Sequence, residues 1–438
     1  FDFCRFKEWY AQEASRIIIG MYRDHGIDVP ISLNVYPSFT PQNYVQFQAV
    51  AGLVGFDVFP ANLIPRGWRW FEYDAFVEMA RYLCASVQTP FAAEFGLGSS
   101  HGHHYETGVI TAQHLRYQAL LALALGIKGF SWYMFVNRDN WYFAPVDENG
   151  EVRRELYDRA IDLVRVFKEL SPPTMRKITS TCTVWYRPHM WRSMLDNVSP
   201  WRYISEALGG CDIDYEIWDL ESSIDHSKPL ALYAGYDFMD ETAQKKLLQK
   251  IEAGMTLACF TELPAFDTEG LRLTILRDAA GSAAPWTSWV DPSLAGEIYA
   301  VGSGRILVLR SRPTPGAMTA LHRSLKIPIY STTGSSQLLT TLHSSPKGLV
   351  LFVVNTEERR GLASVSLDTE ALGIDPNENY ILSDIWGENE EDVKGSSLSS
   401  IAVEVPPKDG AVRRISKPEG SSWTIQSQDE VHSLKVKV

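Results

Sequence analysis

Glu94 is the side chain whose type and position point most directly to chemistry. It ends the apolar run Phe91-Ala92-Ala93 and is followed by Phe95-Gly96-Leu97-Gly98-Ser99-Ser100. A carboxylate closing a buried strand has few structural reasons to be there, and in parallel barrels the C-terminal strand ends carry the reacting groups. The bland alternative is a glutamate that caps the next helix or pairs with an arginine.

Other strand-like runs end in groups suited to hydroxyl-rich ligands. One closes with Asn34-Val35-Tyr36-Pro37, another with Phe59-Pro60-Ala61-Asn62, and a third with Trp132-Tyr133-Met134-Phe135-Val136-Asn137. Amide side chains donate to and accept from hydroxyls at once, and flat aromatic rings stack on the apolar face of a pyranose. Asn34, Tyr36, Trp132 and Tyr133 are therefore candidate sugar contacts. Neighbours on a strand face opposite ways, so one of Trp132 and Tyr133 is expected to fill the interior instead. The run His101-Gly102-His103-His104-Tyr105-Glu106 follows Glu94 by a short loop. Its irregular spacing around a glycine suits no tetrahedral metal set, which leaves His104 to contact substrate hydroxyls or to be solvated. Cys259 ends a strand-like run where an amidotransferase nucleophile would sit, but Ala258 and Phe260 flank it in place of a glycine elbow, so it reads as core. No phosphate-binding loop, dinucleotide fingerprint or HExxH pattern is found, and no cofactor or metal is expected.

These residues need elements to hold them. Strand-like runs start near 31, 56, 91 and 129, with helical patterns between them, and the 25- to 38-residue repeats bracket the roughly 31 residues per unit of a (β/α)8 barrel. A doubly wound open sheet gives the same alternation. Phe6, Trp9, Tyr10, Ile17, Met21 and Tyr22 recur at helical spacing before His25-Gly26 stops the helix. Ser171-Pro172-Pro173 closes this region after an amphipathic helix, Leu156 to Leu170. A second α/β region of flavodoxin-like alternation follows. From Gly296 the helical signals fade, and short β-type runs such as Arg305 to Leu309 and Gly348 to Asn355 take over. The expected division is 1–172, 173–285 and a β-rich, antiparallel 286–438, with Val431 to Val438 as a further edge strand.

Composition narrows the functional classes. The 438 residues, 45% hydrophobic and 21% charged, belong to a folded chain of several domains, not to a disordered one. A net charge of −12 without a long basic run argues against nucleic acid or an anionic membrane as the main partner. Five cysteines with no CxxC form neither a disulfide framework nor a zinc ribbon. The chain opens on Phe1 and runs directly into a helix, so any targeting signal would lie upstream; the cytoplasm is the expected compartment.

The sequence resembles the β-galactosidases of glycoside hydrolase families 42 and 35, together with similar archaeal exo-β-glucosaminidases. The resemblance rests on Phe3 to Tyr10, the run ending in Glu94, Leu115 to Gly126 leading to Phe130-Ser131-Trp132, and Tyr236 to Glu241. It implies a (β/α)8 barrel in which the runs at 31, 56, 91 and 129 are the fifth to eighth strands. Glu94 then falls on the nucleophile position, and Trp132 on an aromatic platform. It also implies a retaining exo-β-glycosidase that removes terminal β-linked galactose by double displacement, and a homo-oligomer. The chain departs from the family pattern in three ways. Phe59 stands where members often carry Tyr, a zinc-binding cysteine cluster has no counterpart, and no Asn-Glu strand end is found to supply the acid/base. That residue is expected in an N-terminal barrel portion carried by a separate chain or a cleaved fragment. The alternatives are an exo-β-glucosaminidase acting on chitosan oligosaccharides and a non-catalytic carbohydrate-binding protein.

Overall fold

The protein is described by a computed structural model covering residues 1–35, 42–58, 70–100, 110–138, 141–196, 198–387 and 389–418. The first element, α1 (Asp2–Asp24), ends at His25-Gly26, where Gly26 takes a φ of 79°. Then come β1 (Ser32–Val35), α2 (Tyr44–Gln48), β2 (Leu53–Val58), α3 (Trp70–Ser86), β3 (Phe91–Gly96), α4 (Ala112–Leu125), β4 (Gly129–Tyr133) and α5 (Arg154–Leu170). The four strands form one parallel sheet in chain order. Such an order follows from βα repeats with crossovers of one hand. Among the described residues, β1 and β4 each have one side without a strand partner.

One face of this sheet is covered by helices. Val54, Phe56 and Ala92 are buried there, and the Phe56 ring stacks on Phe76 of α3 at 6.1 Å between centroids. Helix α4 is buried almost all round because it is sandwiched between this sheet and a C-terminal one. Its start is a reciprocal capping box between Thr111 and His114, and Gly126 ends it with a φ of 109°. Each fully buried leucine in it contributes about 1.5–3 kcal/mol. Leu120 packs so closely on Gly410 that a Cβ there would lie 2.9 Å from its Cδ1.

The apolar stripe of α1 forms the expected helix and faces outward. Phe3, Phe6, Trp9, Tyr10, Ile17 and Ile18 are all exposed, whereas the buried residue of the helix is Glu8. The reason is a polar network: Glu8 accepts from Arg187 and from Trp191 Nε1 (2.7 Å) across the molecule, and this turns the aromatic side outward.

A second sheet has seven strands: β5 (Thr181–Trp185), β6 (Glu216–Asp219), β7 (Leu230–Tyr233), β8 (Thr256–Cys259), β9 (Ala284–Thr287), β10 (Ala295–Val301) and β11 (Gly304–Leu309). Its order is β9-β10-β11-β8-β7-β5-β6, so the five parallel strands lie as second, first, third, fourth, fifth. That is the doubly wound order of flavodoxin-like sheets. Here a boundary expected from the sequence shifts. Arg305 to Leu309, read as part of the C-terminal β region, is the fifth parallel strand, and residue 285 lies inside β9. An apolar run such as Ile306-Leu307 reads as β in either setting; only its pairing with β8 assigns it. Cys259 is fully buried and lies in the core of this sheet.

The C-terminal strands are antiparallel; they form a three-stranded sheet and, with the short strand Arg176–Lys177 at one edge, a six-stranded one, around a shared core that includes Leu342, Leu351, Val365 and Val403. Asp212 ties this region to the second sheet. Its buried carboxylate accepts from the backbone N–H groups of Thr333 and Thr340, both at 2.7 Å, and from both hydroxyls at 2.6 Å. Asp212→Ala strands these donors, each at about 1–3 kcal/mol. The expected result is a clear fall in the urea midpoint, and an unchanged midpoint would show the clasp to be dispensable. The expected strand at Val431 to Val438 lies outside the described residues.

Candidate active site

The face of the first sheet opposite the helices carries the candidate residues. Parallel register sets Asn34 beside Gly55, Asp57 beside Glu94, and Gly96 beside Tyr133. Alternation along β2 puts Gly55 and Asp57 on this inner face, while Val54, Phe56 and Val58 point to the helices.

Glu94 reaches the inner face through a bulge. Toward β2, Ala92 pairs with Phe56 but Glu94 pairs with Asp57; toward β4, Ala92 pairs with Phe130 but Phe95 pairs with Trp132. One extra residue therefore sits in β3 between Ala92 and Phe95. With plain alternation Glu94 would share the face of Ala92, which is fully buried against the helices. Bulges re-aim a side chain in this way.

Gly55 completes the geometry. A Cβ at this position would meet the Phe91 carbonyl oxygen at 2.8 Å and the Ala93 Cβ at 2.9 Å. With no side chain in the way, Asn34 reaches across β2 and its Nδ2 donates to Glu94 Oε1 at 2.9 Å. Asp57, half-buried, also bonds Asn34. Burial first, and the neighbouring Glu94 charge second, push its carboxyl up to about 6. Its Oδ1 is buried and has no hydrogen-bond partner.

Asn34 and Glu94, both expected from the sequence, are thus in direct contact. Trp132 lies elsewhere: its ring packs against Phe95 (5.5 Å) and Phe130 (4.9 Å), and Phe130 in turn meets Phe167 of α5 edge-on. Trp132 therefore belongs to the helix-facing side, away from Glu94. Tyr133 faces the other way, with its hydroxyl accepting from Arg138 Nη2 at 3.1 Å and its ring edge-on to Trp141. Tyr36 and His104 lie outside the described residues. Asp57 was missed in the sequence, where it read as part of a strand; an acid between Phe56 and Val58 was the available signal. Among the described residues no group of His, Cys, Asp and Glu could hold a metal ion.

This arrangement supplies a carboxylate poised at the end of a parallel strand, an amide that orients it and a second carboxyl beside it. Such a set can form and break an ester at a sugar carbon, with one further acid group needed to protonate the leaving oxygen.

Solved structures share the fold. The β-galactosidase from Bacillus circulans sp. alkalophilus superposes with a TM-score of 0.71, covering 94% of this chain and 67% of its own, at 12% identity. A catalytic mutant of Gan42B, a GH42 β-galactosidase from G. stearothermophilus, gives 0.65 over 88% and 64% at 11% identity. The GH42 exo-carrageenase from Bacteroides ovatus gives 0.59 over 95% and 56% at 13% identity. The chain thus spans between about half and two thirds of the length of these proteins. At such identities the likeness is one of fold. No family model and no curated protein matches the sequence. No described helix is long and apolar enough to cross a membrane.

Proposed function

We propose that this chain is a glycoside hydrolase, and specifically a retaining exo-β-glycosidase that removes terminal β-linked galactose by double displacement. The observation that carries the reading is Glu94, turned by a strand bulge to the inner face and held there by Asn34. Glu94 attacks the anomeric carbon and forms a glycosyl ester as the leaving oxygen departs; water then cleaves the ester. Protonating the leaving oxygen requires a second carboxyl about 5–5.5 Å away. In this reading that acid/base is a glutamate on a further barrel portion outside these residues. The two unpaired sheet edges support such a portion, as do the exposed aromatic strip of α1 and the exposed Ile161 and Val164 of α5. Exposed apolar side chains grouped on one helix mark an interaction site.

On this reading 1–172 is the second half of a (β/α)8 barrel, strands five to eight, followed by a flavodoxin-like unit and a β-sandwich. A homo-oligomer is proposed by analogy of fold alone. The cytoplasm suits five cysteines that are all unpaired.

One observation favours a second reading, an exo-β-glucosaminidase: Asp57 is a carboxyl beside Glu94 that could receive the ammonium of an amino sugar. Chromogenic aryl β-galactosides and β-glucosaminides, offered to the enzyme as purified from its source, separate these. Galactoside hydrolysis is expected. Preference for the glucosaminide would favour the second reading, and sugar binding without turnover of either would favour a binding protein.

A further inference from the structure

We propose that Asp57, the register partner of Glu94, holds a proton beside the attacking carboxylate and sets the pH above which attack proceeds. The inference rests on Glu94 being the nucleophile, and it adds a residue that the two-carboxylate mechanism does not require.

The geometry comes first. Asp57 and Glu94 are direct partners on adjacent parallel strands, whose backbones lie about 4.8 Å apart. The bulge in β3 and the alternation of β2 bring both side chains to one face. Asn34 donates to Glu94 and also bonds Asp57, so one amide holds the two carboxyls in a common arrangement. Asp57 Oδ1 is buried with no donor aimed at it. A buried carboxylate oxygen left without a donor is costly, whereas a carboxylic acid at the same place brings its own hydrogen. The neighbouring Glu94 charge adds to burial in favouring the protonated form of Asp57.

The groups acting on Asp57 among the described residues are Glu94 from β3 and Asn34 from β1. Its charge is felt by the buried phenol of Tyr44 on α2, which burial holds neutral well above the usual range. No described cation compensates the pair.

The proton bookkeeping is simple. At low pH the Asp57 acid donates to a Glu94 oxygen, fixing that carboxylate but engaging the lone pair needed for attack. Near pH 6 the proton leaves to solvent. Glu94 then attacks the anomeric carbon, the bond to the aglycone breaks, and the aglycone oxygen departs with the electron pair. Esterified Glu94 carries no charge, so only burial then holds the Asp57 carboxyl above the usual range.

A 2,4-dinitrophenyl 2-deoxy-2-fluoro-β-galactoside tests this, because its leaving group departs without protonation and the glycosyl ester accumulates. Trapping of the assembled enzyme is followed by intact mass, and the labelled residue is located by peptide mapping. For one group titrating near 6, the trapping rate should rise about tenfold between pH 5 and pH 7. In Asp57→Asn, which keeps size and cannot titrate, that rise should vanish. A lower profile that retains the rise would assign Asp57 a merely structural part and overturn the inference. Carboxyl-carbon titration of the unaltered protein needs no variant: Asp57 should titrate near 6, and an Asp57 that titrates near 4 would refute the inference. Labelling elsewhere than Glu94 overturns the nucleophile reading instead, and the titration result stands apart from it.

Discussion

Glu94→Gln is expected to lower turnover of chromogenic galactosides by about 10^4-fold or more, as loss of a nucleophile does in other covalent mechanisms. The carboxamide has the size of the carboxylate, and its oxygen still accepts from Asn34 Nδ2. No described ion pair involves Glu94, so the unfolding midpoint and sugar binding should change little. Steady-state kinetics beside a thermal melt will check this. Residual turnover above about one per cent of the original, with the fold intact, would remove Glu94 from the nucleophile role.

The second large effect concerns stability. Arg187, at the start of the helix Arg187–Asp196, is 1% exposed, and the whole of its guanidinium is used. Its Nε and Nη2 donate to Glu8 Oε1 at 2.9 and 2.7 Å, its Nη1 to the Tyr82 hydroxyl at 3.0 Å, and its Nη2 also to the Gln42 carbonyl. Glu8 accepts in addition from Asn43. The network joins α1, α2 and α3 of the first sheet to the second sheet. Removing one partner leaves the other as an uncompensated buried charge, so Arg187→Ala should cost about 3–5 kcal/mol in urea unfolding. Arg187→Lys should rescue little, since one ammonium cannot reach three separated acceptors. Pairing Arg187→Met with Glu8→Gln should recover part of the loss, because Glu8 then leaves no buried charge, while Asp219 and Glu221 still lose the neighbouring guanidinium. A double variant no better than the single one would show that geometry, not charge, is what matters there.

Much of the scaffold was legible from pattern. The starts of β1, β3 and β4, the stop at Gly126 and the cap at Asp240 follow from local chemistry: apolar runs, a left-handed glycine, and an aspartate whose side chain accepts from Ala243 N–H. Strand β2 was legible only in part. Its start was read near 56, whereas the strand begins at Leu53 and includes Gly55. The glycine is there because Phe91 and Ala93 leave no room for a Cβ, a condition set by the neighbouring strand. The apolar stripe of α1 was legible as a helix but not as a surface, since a buried Glu8 paired with an arginine 179 residues away decides which side faces inward.

The sequence by itself determined the alternation of strands and helices, the placement of Glu94 at a strand end and the absence of a regular cysteine framework. Each depends on residues close together in the chain. Tertiary structure alone decided which way Glu94 points, that Asn34 reaches it over Gly55, that Asp57 stands beside it and that Trp132 does not. These depend on register between strands, and a bulge of one residue reverses the face of every side chain beyond it.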